Sequence, residues 1–120
     1  MNSALASVRV TLEGNIIHAV YTGRMTMDLV KDGERQIEAL LPVGTERMIL
    51  YNTQAMDPPD MKLAMEMKAF DGRIRTRVAR SATVVRDPTT AFLSKVAFVF
   101  SRNHRVFYDD LDAAYAWLRS

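Results

Sequence analysis

Hydrophobic and polar positions alternate weakly over residues 5–12, and the alternation stops at Glu13-Gly14-Asn15, which is turn chemistry. Residues 16–22 (Ile-Ile-His-Ala-Val-Tyr-Thr) are β-branched and aromatic, and Gly23 closes them, so the two runs predict a hairpin. Thr26 then stands where an N-cap belongs, with Asp28 in the first helical turn. Leu29, Val30, Ile37, Leu40 and Leu41 recur at helical spacing until Pro42 and Gly44 stop them. Gly33 weakens the middle of that helix by about 1 kcal/mol relative to alanine.

The apolar run Met48-Ile49-Leu50-Tyr51 predicts a buried strand. In Asp57-Pro58-Pro59-Asp60, Asp57 is expected to cap, Pro58 to take the first helical position and Asp60 to sit in the first turn. Leu63, Met67 and Phe70 fall on one stripe, with Met61, Ala64 and Met65 beside it, and Asp71-Gly72 ends or bends the helix. Ala79 to Val85 predicts a strand. Asp87-Pro88 opens a third helix running to about Arg102, Arg105 to Tyr108 a last short strand, and Asp109 or Asp110 caps a helix carrying Leu111, Ala114, Tyr115 and Leu118. The order β-β-α-β-α-β-α-β-α implies one α/β domain over residues 1–120, a mixed sheet with helices packed on it and right-handed crossovers between parallel strands.

Length and order together with Val106-Phe107-Tyr108-Asp109-Asp110-Leu111-Asp112-Ala113-Ala114-Tyr115-Ala116-Trp117-Leu118 resemble the STAS superfamily, in particular its stand-alone bacterial, anti-sigma-factor-antagonist-like (SpoIIAA-like) branch. There a late strand ending in Phe leads to an acidic cap and a helix ending Ala-x-x-Trp-Leu. Ala82-Thr83-Val84-Val85-Arg86-Asp87-Pro88 resembles its strand that runs into an Asp-Pro helix start. The resemblance implies a non-enzymatic regulatory module that works through protein–protein contacts, with a homodimer compatible with that role; the cytoplasm is the default location expected from the lack of targeting signals. Regulatory members carry a phosphorylatable Ser or Thr where the third strand meets the next helix. Here that place is Asp57-Pro58-Pro59-Asp60, which has no hydroxyl, and Thr53 is the nearest one.

Composition narrows the chemistry. The 120 residues are 48% hydrophobic and 25% charged, as in ordinary globular domains, and 16 Lys plus Arg against 14 Asp plus Glu leave a net charge of +2, too little to argue for nucleic acid. There is no cysteine, so disulfides and thiol chemistry are excluded. The N-terminal residues from Met1 to Ala6 show neither the basic start nor the apolar run of a signal peptide, and no stretch is long enough to span a bilayer. His18 and His104 are the only histidines and have no metal-ligand spacing; no nucleophile elbow or phosphate-cradling glycine loop is present. The expectation is therefore no catalytic residue, no cofactor and no metal. Five arginines and no acid lie between positions 73 and 86, read as a solvated helix end whose cations complement the dipole. Trp117 is read as core.

Methionine is the informative residue. Six of the eight lie at positions 25, 27, 56, 61, 65 and 67. Parallel pairing would bring Met25 and Met27, after the second strand, to the same sheet end as Met56 and Met61, after the third, and open α/β sheets bind ligands there. Methionine suits adaptable apolar surfaces. The expected partner or ligand surface is thus Met25, Met27, Met56, Asp57, Pro58, Pro59, Asp60 and Met61. Its occupant is a protein partner, or alternatively a lipid or other apolar small molecule. A carrier requires an enclosed apolar pocket of about 300 Å³ or more.

Overall fold

The computed structural model describes residues 5–120; Met1 to Ala4, part of the segment read for a leader, lie outside the described residues. Ten elements follow the expected order, with one added turn. Strands β1 (Ser7–Glu13) and β2 (Ile16–Gly23) form the hairpin, and α1 (Met27–Ala39), β3 (Arg47–Met56) and α2 (Met61–Ile74) come next. A 3-10 turn at Arg75–Arg77 leads into β4 (Val78–Val85), α3 (Pro88–Ala97), β5 (His104–Tyr108) and α4 (Leu111–Arg119).

The five strands lie side by side in sequence order, β1 antiparallel to β2 and the other neighbours parallel. Strands added always to the same side by right-handed crossovers place the crossover helices on one face. The core divides accordingly. Ile17, Ala19, Tyr21, Ile49 and Tyr51 point from the sheet to Val30 and Ile37 of α1 and to Phe70 and Ile74 of α2. Ile16, Leu50, Ala82 and Val84 point the other way, to Ala114 and Leu118 of α4. Strands β3 and β4 are buried on both faces, which explains their unbroken apolar runs.

Local chemistry fixes the ends. The Thr26 hydroxyl accepts from the Leu29 amide at 3.2 Å, Asp87 from Thr90 at 2.7 Å and Asp110 from Ala113 at 2.9 Å, all as N-caps. Gly33 has a packing reason: a Cβ there would lie 2.8 Å from Val8 Cγ1, so glycine lets α1 sit down on the edge strand.

Four expectations change. The second helix begins at Met61, and Asp60, not Asp57, caps it by accepting from Leu63 N at 2.9 Å. The cause is the proline pair, because a residue before proline is pushed out of the helical region and Pro58 precedes Pro59. That helix passes through Asp71-Gly72 to Ile74, since Phe70, Asp71 and Ile74 all bury. The third helix stops at Ala97 rather than near Arg102, where Phe98 turns into the core. Trp117 is half-buried: its ring packs on Phe107 at 6.2 Å and takes the Arg80 and Arg105 guanidiniums at 5.2 and 5.6 Å.

Candidate functional site at the carboxyl end of the sheet

Parallel pairing joins the two methionine segments. Gly23 sits opposite Met56, and the Asp57 amide donates to the Gly23 carbonyl at 3.0 Å. The expected residues separate into two layers. Met25 is buried, with Met27, Met56 and Pro59 half-buried, while Asp57, Pro58, Asp60 and Met61 are exposed. The outer layer is an acidic, proline-stiffened ridge ending in an apolar residue. Asp60 is committed to its cap; the carboxylate of Asp57 faces solvent.

Beneath the ridge is a small cavity of about 70 Å³ among the sheet, α2 and α3, walled by Tyr21, Met25, Tyr51, Met56, Leu63, Met67 and Phe98. Tyr21 and Tyr51, with ring centroids 6.4 Å apart, are fully enclosed, and neither hydroxyl has a hydrogen-bond partner among the described residues. Burial pushes both phenols well above their ordinary range, and they stay neutral. Thr53 lies at the same level. It is buried, and its hydroxyl donates to the Val84 carbonyl at 2.7 Å.

Two polar clusters escaped the sequence reading. In the first, Ser81 Oγ lies 2.6 Å from His104 Nδ1 and 3.0 Å from Arg75, whose guanidinium pairs with Asp71; Asp71 also accepts from Ser101. Thr83 Oγ1 meets His104 Nε2 at 3.1 Å, and Phe98 stacks on the imidazole at 3.7 Å. Burial, with Arg75 nearby, drops the His104 pKa to about 3, so the ring is neutral. The set contains a serine, a histidine and an aspartate, but the serine is wholly enclosed and the aspartate is spent on Arg75 rather than on the histidine. It is a core network. In the second cluster, on the α4 side, Glu13 accepts from Tyr115 Oη at 2.9 Å and lies 3.1 Å from His18 Nδ1, which holds its carboxyl below the usual range.

The basic run is not a solvated helix end. Arg73 reaches Glu34, Arg75 Asp71, Arg77 Glu38 and Arg86 Asp109, while Arg80 donates to the Trp117 carbonyl at 2.7 Å. Local spacing could not show this, because each partner except Asp71 lies more than twenty residues away. Among the described residues no three His, Cys, Asp or Glu side chains converge as metal ligands would, and no helix is long and apolar enough to cross a membrane.

Two solved structures are similar over nearly the whole chain. One is an uncharacterized Shewanella loihica protein with a SpoIIAA-like fold, 18% identical, TM-score 0.72, covering 98% of each chain. The chain has a SpoIIAA-like fold. The other is an anti-sigma factor antagonist from Mycobacterium paratuberculosis, 14% identical, TM-score 0.70, covering 99% of this chain and 100% of that one. No family model matches the sequence, and a search of curated proteins finds no match. The SpoIIAA-like architecture expected from the element order and the C-terminal stretch is thus the architecture present.

Proposed function

We propose that this SpoIIAA-like chain is a non-enzymatic regulatory module that binds a protein partner in the cytoplasm, without a phosphorylation switch. One observation carries the reading. The strand-to-helix junction, exposed and shaped as a ridge, offers Asp57, Pro58, Pro59, Asp60 and Met61 and no hydroxyl, while Thr53, the nearest candidate, is buried with its hydroxyl engaged on Val84. A phosphate adds close to two negative charges and three acceptor oxygens, which the Thr53 site cannot hold without opening the sheet. Asp57 and Asp60 supply a permanent, weaker negative field at the start of α2.

The likeness to an anti-sigma factor antagonist supports a regulatory, protein-binding role. The cavity argues against a lipid as the occupant. Its volume of about 70 Å³ is several times smaller than the roughly 300 Å³ at the lower end of ligand pockets. It would suit a group no larger than an aromatic ring.

The test has two parts. Phosphopeptide mapping of protein recovered from its own cells should find Thr53 unmodified, and Thr53→Ala should keep partner binding. Asp57→Asn with Asp60→Asn should weaken binding. Stoichiometric phosphate on Thr53, or loss of binding in a folded Thr53→Ala protein alone, would overturn the proposal.

A further inference from the structure

We infer that the trough between α2 and α3 is a second docking site, and that its occupant is an acidic amphipathic helix of another protein. Apart from Met61, which ends the ridge described above, this inference rests on residues outside that ridge. It starts from two adjacent helices that leave large apolar side chains in water. Met61 and Met65, one turn apart on α2, are 48% and 47% exposed; Phe92 on α3 is 60% exposed and Phe100, just beyond it, 81%. An ordinary monomer scatters such residues singly. Here they line neighbouring parallel helices. Toward the far end a depression of about 520 Å³ opens between Lys68 and Gly72 of α2 and Ala97 and Phe100.

Apart from Asp57 and Asp60 at the start of α2, the exposed charges along α2 and α3 are cationic. Half-buried Lys68 lies with its ammonium 4.7 Å from the Phe100 ring centre, and Lys62, Lys95 and Arg102 are exposed. None of these four makes an ion pair among the described residues. Residues 88–102 contain no acid at all. Of the acids of α2, Asp71 lines the depression but is buried and paired with Arg75, which lines it too, and Glu66 faces Lys31 of α1 at 4.0 Å. An apolar floor with uncompensated cations along it is complementary to a helix with an apolar stripe and flanking carboxylates. The 14 residues of α2 give a seat about 21 Å long, matching three to four turns of such a helix, and methionine lets the floor adapt to its side chains.

A second copy of this chain does not fit. Its one strongly acidic helix, α1, exposes Asp28, Asp32 and Glu38 with Lys31 and Arg35 among them and shows no large exposed hydrophobic. A flat lipid surface fits less well than a helix, because Lys68 and Phe100 line a depression.

The test is selection of helical peptides from an unbiased display library on the full chain. It is run with counter-selection on a Phe92→Ser, Lys68→Glu variant whose fold is checked by circular dichroism. The expected result is enrichment of amphipathic helices with net negative charge. These should bind wild type at least tenfold more tightly than Phe92→Ser or Lys95→Glu, and should shift the amide resonances of Met65, Lys68 and Phe92. Enrichment of basic or non-helical sequences, or no enrichment over the naive library, would overturn the inference. So would flotation of the wild type, but not Phe92→Ser, with phosphatidylglycerol vesicles, which would assign the patch to a membrane. Since Met65, Lys68, Phe92 and Lys95 lie outside the ridge, a negative result leaves the ridge proposal standing, and the reverse holds too.

Discussion

Replacing Glu34 by glutamine should stabilise the protein at alkaline pH and leave it unchanged in acid. Glu34 sits on α1, facing α2, with only 4% of its surface exposed. One carboxylate oxygen meets Arg73 at 3.4 Å and the other has no partner among the described residues. Burial, then the neighbouring Glu66, lifts its pKa from 4.5 to about 8, against the opposing pull of Arg73 and Lys31. Desolvation wins because Arg73 is half exposed and its contact is long. Between pH 4.5 and 8 the folded state therefore keeps a proton that the unfolded chain has lost, and stability falls as pH rises through that window. A full shift of that size corresponds to a ceiling of about 5 kcal/mol. Solvent around the half-exposed Arg73 contact keeps the expected loss below that ceiling. Glutamine stays neutral at every pH. Urea denaturation of wild type and Glu34→Gln from pH 4 to pH 9 should give superimposable midpoints at pH 4 and a higher midpoint for the variant at pH 9. A difference independent of pH, or a less stable variant at pH 9, would refute the reasoning.

Thr53→Val removes a buried hydroxyl donor while keeping its shape, and should lower stability by about 1–2 kcal/mol by denaturant titration without changing partner affinity. Trp117→Ala should cost about 2–3 kcal/mol, less than a fully buried tryptophan, and a near-wild-type melting temperature would show that its contacts with Phe107, Arg80 and Arg105 contribute little. Gly23→Ala should destabilise by about 1–3 kcal/mol, because Gly23 has φ +77° and its added Cβ would lie 3.1 Å from Ala6 Cα; the same titration reads it.

Much of the fold was legible because it rests on local rules. The Thr26, Asp87 and Asp110 caps, the hairpin turn at Gly14 and the buried runs of β3 and β4 each follow from residues within a few positions of one another. Errors of boundary arose where two local rules compete. At Asp57-Pro58-Pro59-Asp60 both aspartates can cap, and the restriction one proline places on the other decides for Asp60. The juxtaposition of Met25 with Met56 was legible once parallel pairing was assumed. Their depth was not, since a methionine at a strand end has the same spacing whether it faces solvent or a core. Least legible were the pairs that span the chain. Glu34 with Arg73 and Ser81 with His104 are separated by 39 and 23 residues, and only the tertiary fold brings them together. For the same reason the arginine run looked like a solvated end, although its partners wait on α1, α4 and the loop after β5.

The central claim is that the ridge at the carboxyl end binds a protein without prior phosphorylation. The most direct measurement is photo-crosslinking in the protein's own cells, with a benzophenone amino acid replacing Pro58 or Met61, and Val43 as a distant exposed control. The account predicts one stoichiometric protein adduct at positions 58 and 61, absent at 43, formed by unphosphorylated chain and reproduced with purified components. Adducts that form equally at position 43, or that require phosphorylated chain, would contradict it, as would no protein adduct at 58 or 61.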